Sequence, residues 1–181
     1  MVFYSHDMNT IKLDETFFMG GNATFTVDNG KGTHYTFKIR QPKKQNPRYT
    51  GPAPHFISLL TGPDNENSYS YMGMVREIPV MVRVATGEHS PTGEPLYVTQ
   101  DSGRKTLEVR LTAKSRYNDA TVPVKVARWV LALAMTTREL PEGYAVHHSG
   151  HCGRCGRLLT HPESLKTGIG PECIKIMGLA Y

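Results

Sequence analysis

The sequence predicts an α+β protein: an antiparallel, β-rich N-terminal domain over residues 1–143 that closes with one packed helix, then a small cysteine-bearing module over residues 144–181. Three observations carry that reading. Residues 22–110 alternate apolar and polar side chains in short runs divided by Gly, Pro, Asn and Asp, the pattern of half-buried strands joined by turns. Residues 121–139 hold the long stretch with apolar side chains at helical spacing. All three cysteines fall between Cys152 and Cys173.

Along the chain, Ala23, Phe25 and Val27 share one face of a first strand, and Tyr35, Phe37 and Ile39 one face of a second. Asp28-Asn29-Gly30-Lys31-Gly32 between them tolerates positive φ and makes the pair a hairpin. Phe56 to Leu60 and Tyr69 to Met72 form a second pair across Gly62-Pro63-Asp64-Asn65-Glu66-Asn67. Further strands are expected over residues 78–84, 96–99 and 107–111, the last two turning at Asp101-Ser102-Gly103. Residues 41–52 carry too much proline and charge for a central strand and read as an exposed loop. Thr121 is placed to cap the helix, with Pro123 tolerated in its first turn. Val126, Trp129, Val130 and Leu133 share a face, so the tryptophan side is expected against the sheet, and Leu140-Pro141-Glu142-Gly143 ends the helix.

Hydrophobic residues make up 39% and charged residues 20%, a composition that supports a core and argues against disorder. A formal net charge of +5 favours anionic partners. No apolar run reaches the ~18 residues of a membrane span. Residues 1–9 lack a basic segment followed by an apolar one, so no secretory signal is expected and the protein is placed in the cytosol. No phosphate-cradling glycine loop, nucleophile elbow or H-E-x-x-H helix occurs, which gives no positive reason to assign catalysis.

Clustered cysteines in a reducing compartment point to metal ligation or thiol chemistry before disulfides. Cys152-Gly153-Arg154-Cys155-Gly156 has the spacing of a zinc knuckle, in which two thiolates clasp the ion and glycines let backbone amides turn toward sulfur. Cys173 follows Gly170-Pro171-Glu172 and is expected in the first turn of a short helix running from near Pro171 to near Gly178, where unpaired amides would stabilise its thiolate. A knuckle followed by a ligand at a helix start describes a treble-clef-like module around one structural Zn2+. Tetrahedral zinc needs a fourth ligand, and His147, His148, His151 and His161 are all within reach in sequence. His148 is preferred because three residues separate it from Cys152, and His161 is its rival.

The segment from His148 to Cys173, with its Cys-Gly-Arg-Cys-Gly-Arg-Leu-Leu-Thr-His-Pro-Glu-Ser and Gly-Ile-Gly-Pro-Glu-Cys, resembles a widespread zinc-finger family of phages and actinobacteria. That family, of unknown function, has the pattern C-x-x-C-G-R-x-L-T-x-P-x-S followed by G-I-G-P-x-C. Similar phage proteins also share the stretches Phe56 to Asn65 and Tyr69 to Gly73. The resemblance implies a phage or prophage setting, so a bacterial host cytosol, and supports His148, since a histidine often stands at that position in the family.

Arg154 and Arg157 flank the knuckle, with Lys166 and Lys175 on the same module, as a candidate phosphate-binding face. Lys43, Lys44, Arg48 and Tyr49 combine cations with an aromatic that can stack on an unpaired base. The expected function is therefore a nucleic-acid-binding accessory factor, for DNA or RNA. The alternative is a protein-binding modulator or inhibitor of a host polymerase, nuclease or defence complex. No membrane partner is expected.

Overall fold

The computed structural model describes residues 10–11, 13–43, 50–136 and 139–179. Among these, one antiparallel sheet is formed by β1 (Asn22–Asp28), β2 (His34–Arg40), β3 (His55–Leu60), β4 (Tyr69–His89), β5 (Pro95–Leu111) and β6 (Ala145–His148), in the spatial order β5-β4-β3-β2-β1-β6. The helices are α1 (Glu15–Phe18), α2 (Val122–Thr136), α3 (Pro162–Thr167) and α4 (Pro171–Ile176). No described helix is long and apolar enough to cross a membrane.

The first hairpin forms as its alternation dictates. Phe25 pairs with Phe37 and Ala23 with Ile39, all four buried on one face. In the turn, the Gly30 amide donates to Asp28 Oδ1 (2.8 Å) and the Lys31 amide to Asn29 Oδ1 (2.9 Å), while Gly30 takes φ +65°, which glycine adopts without steric cost. β3 and the start of β4 form the second expected pair across the 62–67 turn, where Asp64 accepts the Glu66 and Asn67 amides.

Beyond that point the strands run on. The separate strands expected over 69–72 and 78–84 are one strand, β4, and those over 96–99 and 107–111 are β5, so Asp101-Ser102-Gly103 is not a chain reversal. Pro79 and Gly103, at φ +73°, break the alternation, but the cost is a register shift between Pro79 and Met81 and not an end to pairing. In a two-stranded ribbon every strand is an edge, where proline and bulges are tolerated. The distal half of this ribbon projects into solvent, leaving Met81, Leu96, Tyr97 and Val98 exposed.

Helix α2 lies on β5 with Val124, Ala127, Val130, Leu131 and Ala134 buried. It is therefore rotated from the expected orientation. Small Ala127 and Ala134 let its backbone approach the sheet, while Trp129 sits at the flank, edge-on to Tyr144 at 5.1 Å. Thr121 does not cap forward: its hydroxyl donates to Asn118 Oδ1 (3.2 Å) and accepts the Asn118 amide (3.1 Å).

Two short elements absent from the sequence reading join the two ends of the fold. α1 is capped by Asp14, which accepts the Thr16 amide at 2.7 Å, and buries Phe17 and Phe18 completely. β6 pairs with β1, Phe25 opposite His148. Residues 145–148, assigned by sequence to the C-terminal module, thus complete the sheet.

Candidate metal centre

From β6 the chain turns at Gly150 (φ +76°) into the knuckle. The Cys152 amide donates to Arg157 O (2.8 Å) and the Gly156 amide to Cys152 O (2.9 Å), so the loop closes on itself with Gly156 at φ +75°. α3 ends at Gly168, whose left-handed conformation (φ +70°) reverses the chain and sends the Gly170 amide to Cys152 Sγ at 3.3 Å. Pro171 then opens α4, and Cys173 stands in its first turn, as the sequence indicates.

The three cysteine sulfurs all lie within 4.8 Å of one another; Cys152 and Cys173 are buried and Cys155 is exposed. A tetrahedral ion at ~2.3 Å from each sulfur requires sulfurs about 3.8 Å apart, so small side-chain rotations suffice. A second feature fits a bound ion. Ser164 Oγ, on α3, is the buried side-chain polar atom that lacks a hydrogen-bond partner among the described residues. Ser164 lines the same pocket, of about 340 Å³, as the three cysteines and His161.

The thiols differ electrostatically. Burial opposes ionisation of Cys152, yet hydrogen bonds from the Gly170, Cys155 and Arg154 amides outweigh it and hold its pKa below the ordinary thiol value. Burial, reinforced by the neighbouring thiols, pushes Cys173 up to about 11, with Arg154 acting the other way through its guanidinium 3.9 Å from Sγ. The expected thiolate stabilisation at the start of α4 is therefore outweighed by burial. A bound divalent cation reverses that balance, since a coordinated thiol is deprotonated outright.

His148 does not stand with the sulfurs. Its Nε2 donates to Leu165 O (2.9 Å) and its Nδ1 accepts the Gly150 amide (3.0 Å), which engages both nitrogens of the neutral ring. Burial lowers its pKa, and it packs edge-on to Phe17 at 6.1 Å. It is a buried histidine whose bonds tie β6 to α3. Sequence spacing ranks reach and carries no information on these competing hydrogen bonds. A fourth ligand is not evident among the described residues. His147 contacts Thr10 through Nδ1 and His151 contacts Ser149 O, which leaves His161 as the histidine lining the sulfur pocket.

The module is bolted to the sheet by Phe17. A Cβ at Gly153 would lie 2.7 Å from its ring, and one at Gly168 2.5 Å, so both glycines are required by close approach. The Asn22 amide donates to Gly153 O at 2.6 Å.

Of the cations singled out by sequence, Arg154 is half-buried and turned toward Cys173, while Arg157 is exposed at the pocket rim. Lys166 and Lys175 pair with Glu163 and Glu172 at 2.8 and 3.0 Å, which neutralises part of the expected basic face. Lys43 is exposed; Lys44, Arg48 and Tyr49 lie outside the described residues. The sequence reading passed over Ser164, and also Lys38 and Arg40, although the alternation of His34–Arg40 places the latter two opposite Phe37 and Ile39.

Residues 145–178 match a family of unknown function, DUF6011. The match begins at β6 and ends just after α4, so it covers the knuckle, both short helices and all three cysteines. No curated protein and no solved structure matches the chain.

Proposed function

We propose that the protein is a zinc-binding accessory factor that contacts nucleic acid, with one structural Zn2+ on Cys152, Cys155 and Cys173 in a treble-clef-like module. The observation that carries it is the convergence of three sulfurs from the knuckle and from α4. His161, beside the same pocket, is the candidate fourth ligand in place of His148. Arg157 and Arg154, with the net charge of +5, support the nucleic-acid half. The resemblance noted above favours a phage or mobile-element setting in the bacterial cytosol. Metal analysis of protein purified without chelator is expected to give one zinc per chain, and its absence would remove the metal. DNA and RNA titrations at rising salt are expected to show steeply weakening affinity; no binding at low salt would remove the nucleic-acid role.

A second reading, a modulator of a host protein complex, is favoured by the apolar side chains on the projecting ribbon, where Val84, Leu96 and Val98 stay 37–49% exposed. Binding to a host polymerase or nuclease that is lost in V84K/V98K, with nucleic-acid affinity unchanged, would establish it.

A further inference from the structure

The sheet has two unlike faces. One is packed by α1 and α2; the other carries the alternate residues of every central strand and has neither helix on it. Register places side chains in rows across that open face. Asn22, Arg40, Phe56, Met74 and Arg110 form one row, and Thr24, Lys38, Ser58 and Tyr71 the next, with Tyr69 opposite Leu60 beyond. Cations and aromatics therefore interleave on one surface. Phe56, Tyr69 and Tyr71 are half-buried, Arg40 and Arg110 exposed.

Over β1 and β2 this surface deepens into a groove of about 800 Å³, walled by the 65–67 loop on one side and by Ser149, His151 and Gly156 on the other. Its floor is hydroxylic: Thr26 and Thr36 share a hydrogen bond at 2.8 Å. Lys38 is 8% exposed, donates to Glu66 O (3.0 Å) and lies 3.8 Å from the centre of the Tyr69 ring. Arg40 has no ion-pair partner among the described residues. One carboxylate, Glu66, lines the groove against these two cations. A wall of amides and hydroxyls with two cations and an adjoining aromatic row does not suit an apolar ligand. It suits a phosphodiester strand with unpaired bases, because the phosphate finds Arg40, base edges find Asn65 and Asn67, and base faces find the tyrosines.

From this juxtaposition we infer that the open face of the sheet is a single-stranded nucleic-acid site, with Arg40 on phosphate, Tyr69 against a base, and buried Lys38 holding Tyr69 and the 65–67 loop in place. The inference rests on the nucleic-acid reading and gives it a location, a groove that neither knuckle arginine lines, and a strand preference.

Fluorescence anisotropy with a labelled twelve-nucleotide oligothymidylate, and with a duplex of equal length, tests it on the full zinc-loaded chain. The single strand is expected to bind more tightly than the duplex. Arg40→Ala is expected to reduce the salt slope by about 0.7, and Tyr69→Ala to weaken binding about fivefold or more, with urea midpoints reported for both. Free thymidine monophosphate is expected to compete poorly. If the wild type binds but Arg40→Ala and Tyr69→Ala match it, while R154A/R157A does not, the site is on the zinc module and this inference is overturned with the broader reading intact. Full competition by the mononucleotide overturns the strand. A wild type that binds no nucleic acid overturns both.

Discussion

Phe17 joins the C-terminal module to the sheet, and its two glycine neighbours allow a quantitative test. Its ring is fully buried between Gly153 and Gly168. Truncation to alanine removes a buried aromatic and leaves a cavity, at a cost of about 3–5 kcal/mol. Gly168→Ala alone meets two penalties: about 1–2 kcal/mol for an L-residue at φ +70°, and about 1–3 kcal/mol of overpacking because its Cβ would sit 2.5 Å from the Phe17 ring. In the double variant F17A/G168A the second penalty vanishes, since the new methyl enters the space the ring has left. The two substitutions should therefore couple favourably by about 1–3 kcal/mol, whereas independent sites add to within ~0.5 kcal/mol. Urea denaturation of the four proteins reads this directly; at a slope of about 2–3 kcal/mol/M the double variant should unfold roughly 0.3 to 1.5 M later than additivity requires. Additive behaviour would mean that the ring does not press on residue 168 and that the module is held otherwise.

Three further outcomes follow from the geometry. Cys152→Ser and Cys173→Ser should each lose zinc, whereas His148→Ala should keep it while losing about 2–4 kcal/mol through the orphaned Leu165 carbonyl and Gly150 amide; zinc loss in His148→Ala, measured by metal analysis, would restore that ring as a ligand. Burial lowers the pKa of His55 below 6.5, against opposing hydrogen bonds to Met19 and Ala53, and burial likewise lowers His148; the unfolded chain then takes up protons first, so stability is full above about pH 6.5 and declines as pH falls below it. Urea midpoints at about pH 7.5 and about 5.5 should fall in that order, and less so in His55→Gln. On the projecting ribbon, the cross-strand pair Val84 and Val98 contributes ~0.2–1 kcal/mol, so V84A/V98A should shift the urea midpoint little, and a large loss would show that the ribbon packs on the body.

What was legible in the sequence was whatever a local period or spacing encodes. The first hairpin, the second pair, the helix near residues 121–139 and the three-cysteine cluster each carry their own signal. β6 does not: Ala145–His148 is too short to show a period, and pairing with β1 makes it a strand. α1 is likewise shorter than any helix that propagates alone, and Asp14 with two buried phenylalanines stabilises it. On α2, hydrophobicity pointed to Trp129, but close approach to a sheet selects small residues, and Ala127 and Ala134 set the rotation. The fourth ligand is a related case. Spacing shows which rings can reach a metal, whereas the bonds of His148 to residues 150 and 165, which compete for its nitrogens, are seen only in three dimensions.

The cysteine cluster and the open face of the sheet share a wall, which links the two parts of the proposed function. The Asn22 amide is bonded to Gly153 O inside the knuckle, and its side-chain amide abuts Gly156 so closely that a Cβ there would collide with it. Asn22, Ser149, His151 and Gly156 in turn line the groove that holds Lys38 and Arg40. No cysteine lines that groove, so an ion at the proposed site would act on the proposed binding there by fixing the wall. Chelation of the wild type should then weaken oligothymidylate binding and raise backbone exchange over residues 149–157, with Arg40→Ala and chelation giving less than additive losses because both act on one surface. If the chelated protein lost its zinc and bound the oligonucleotide unchanged, the Phe17 wedge and the β1–β6 pairing alone would suffice to hold the wall, and the zinc would serve only the knuckle itself.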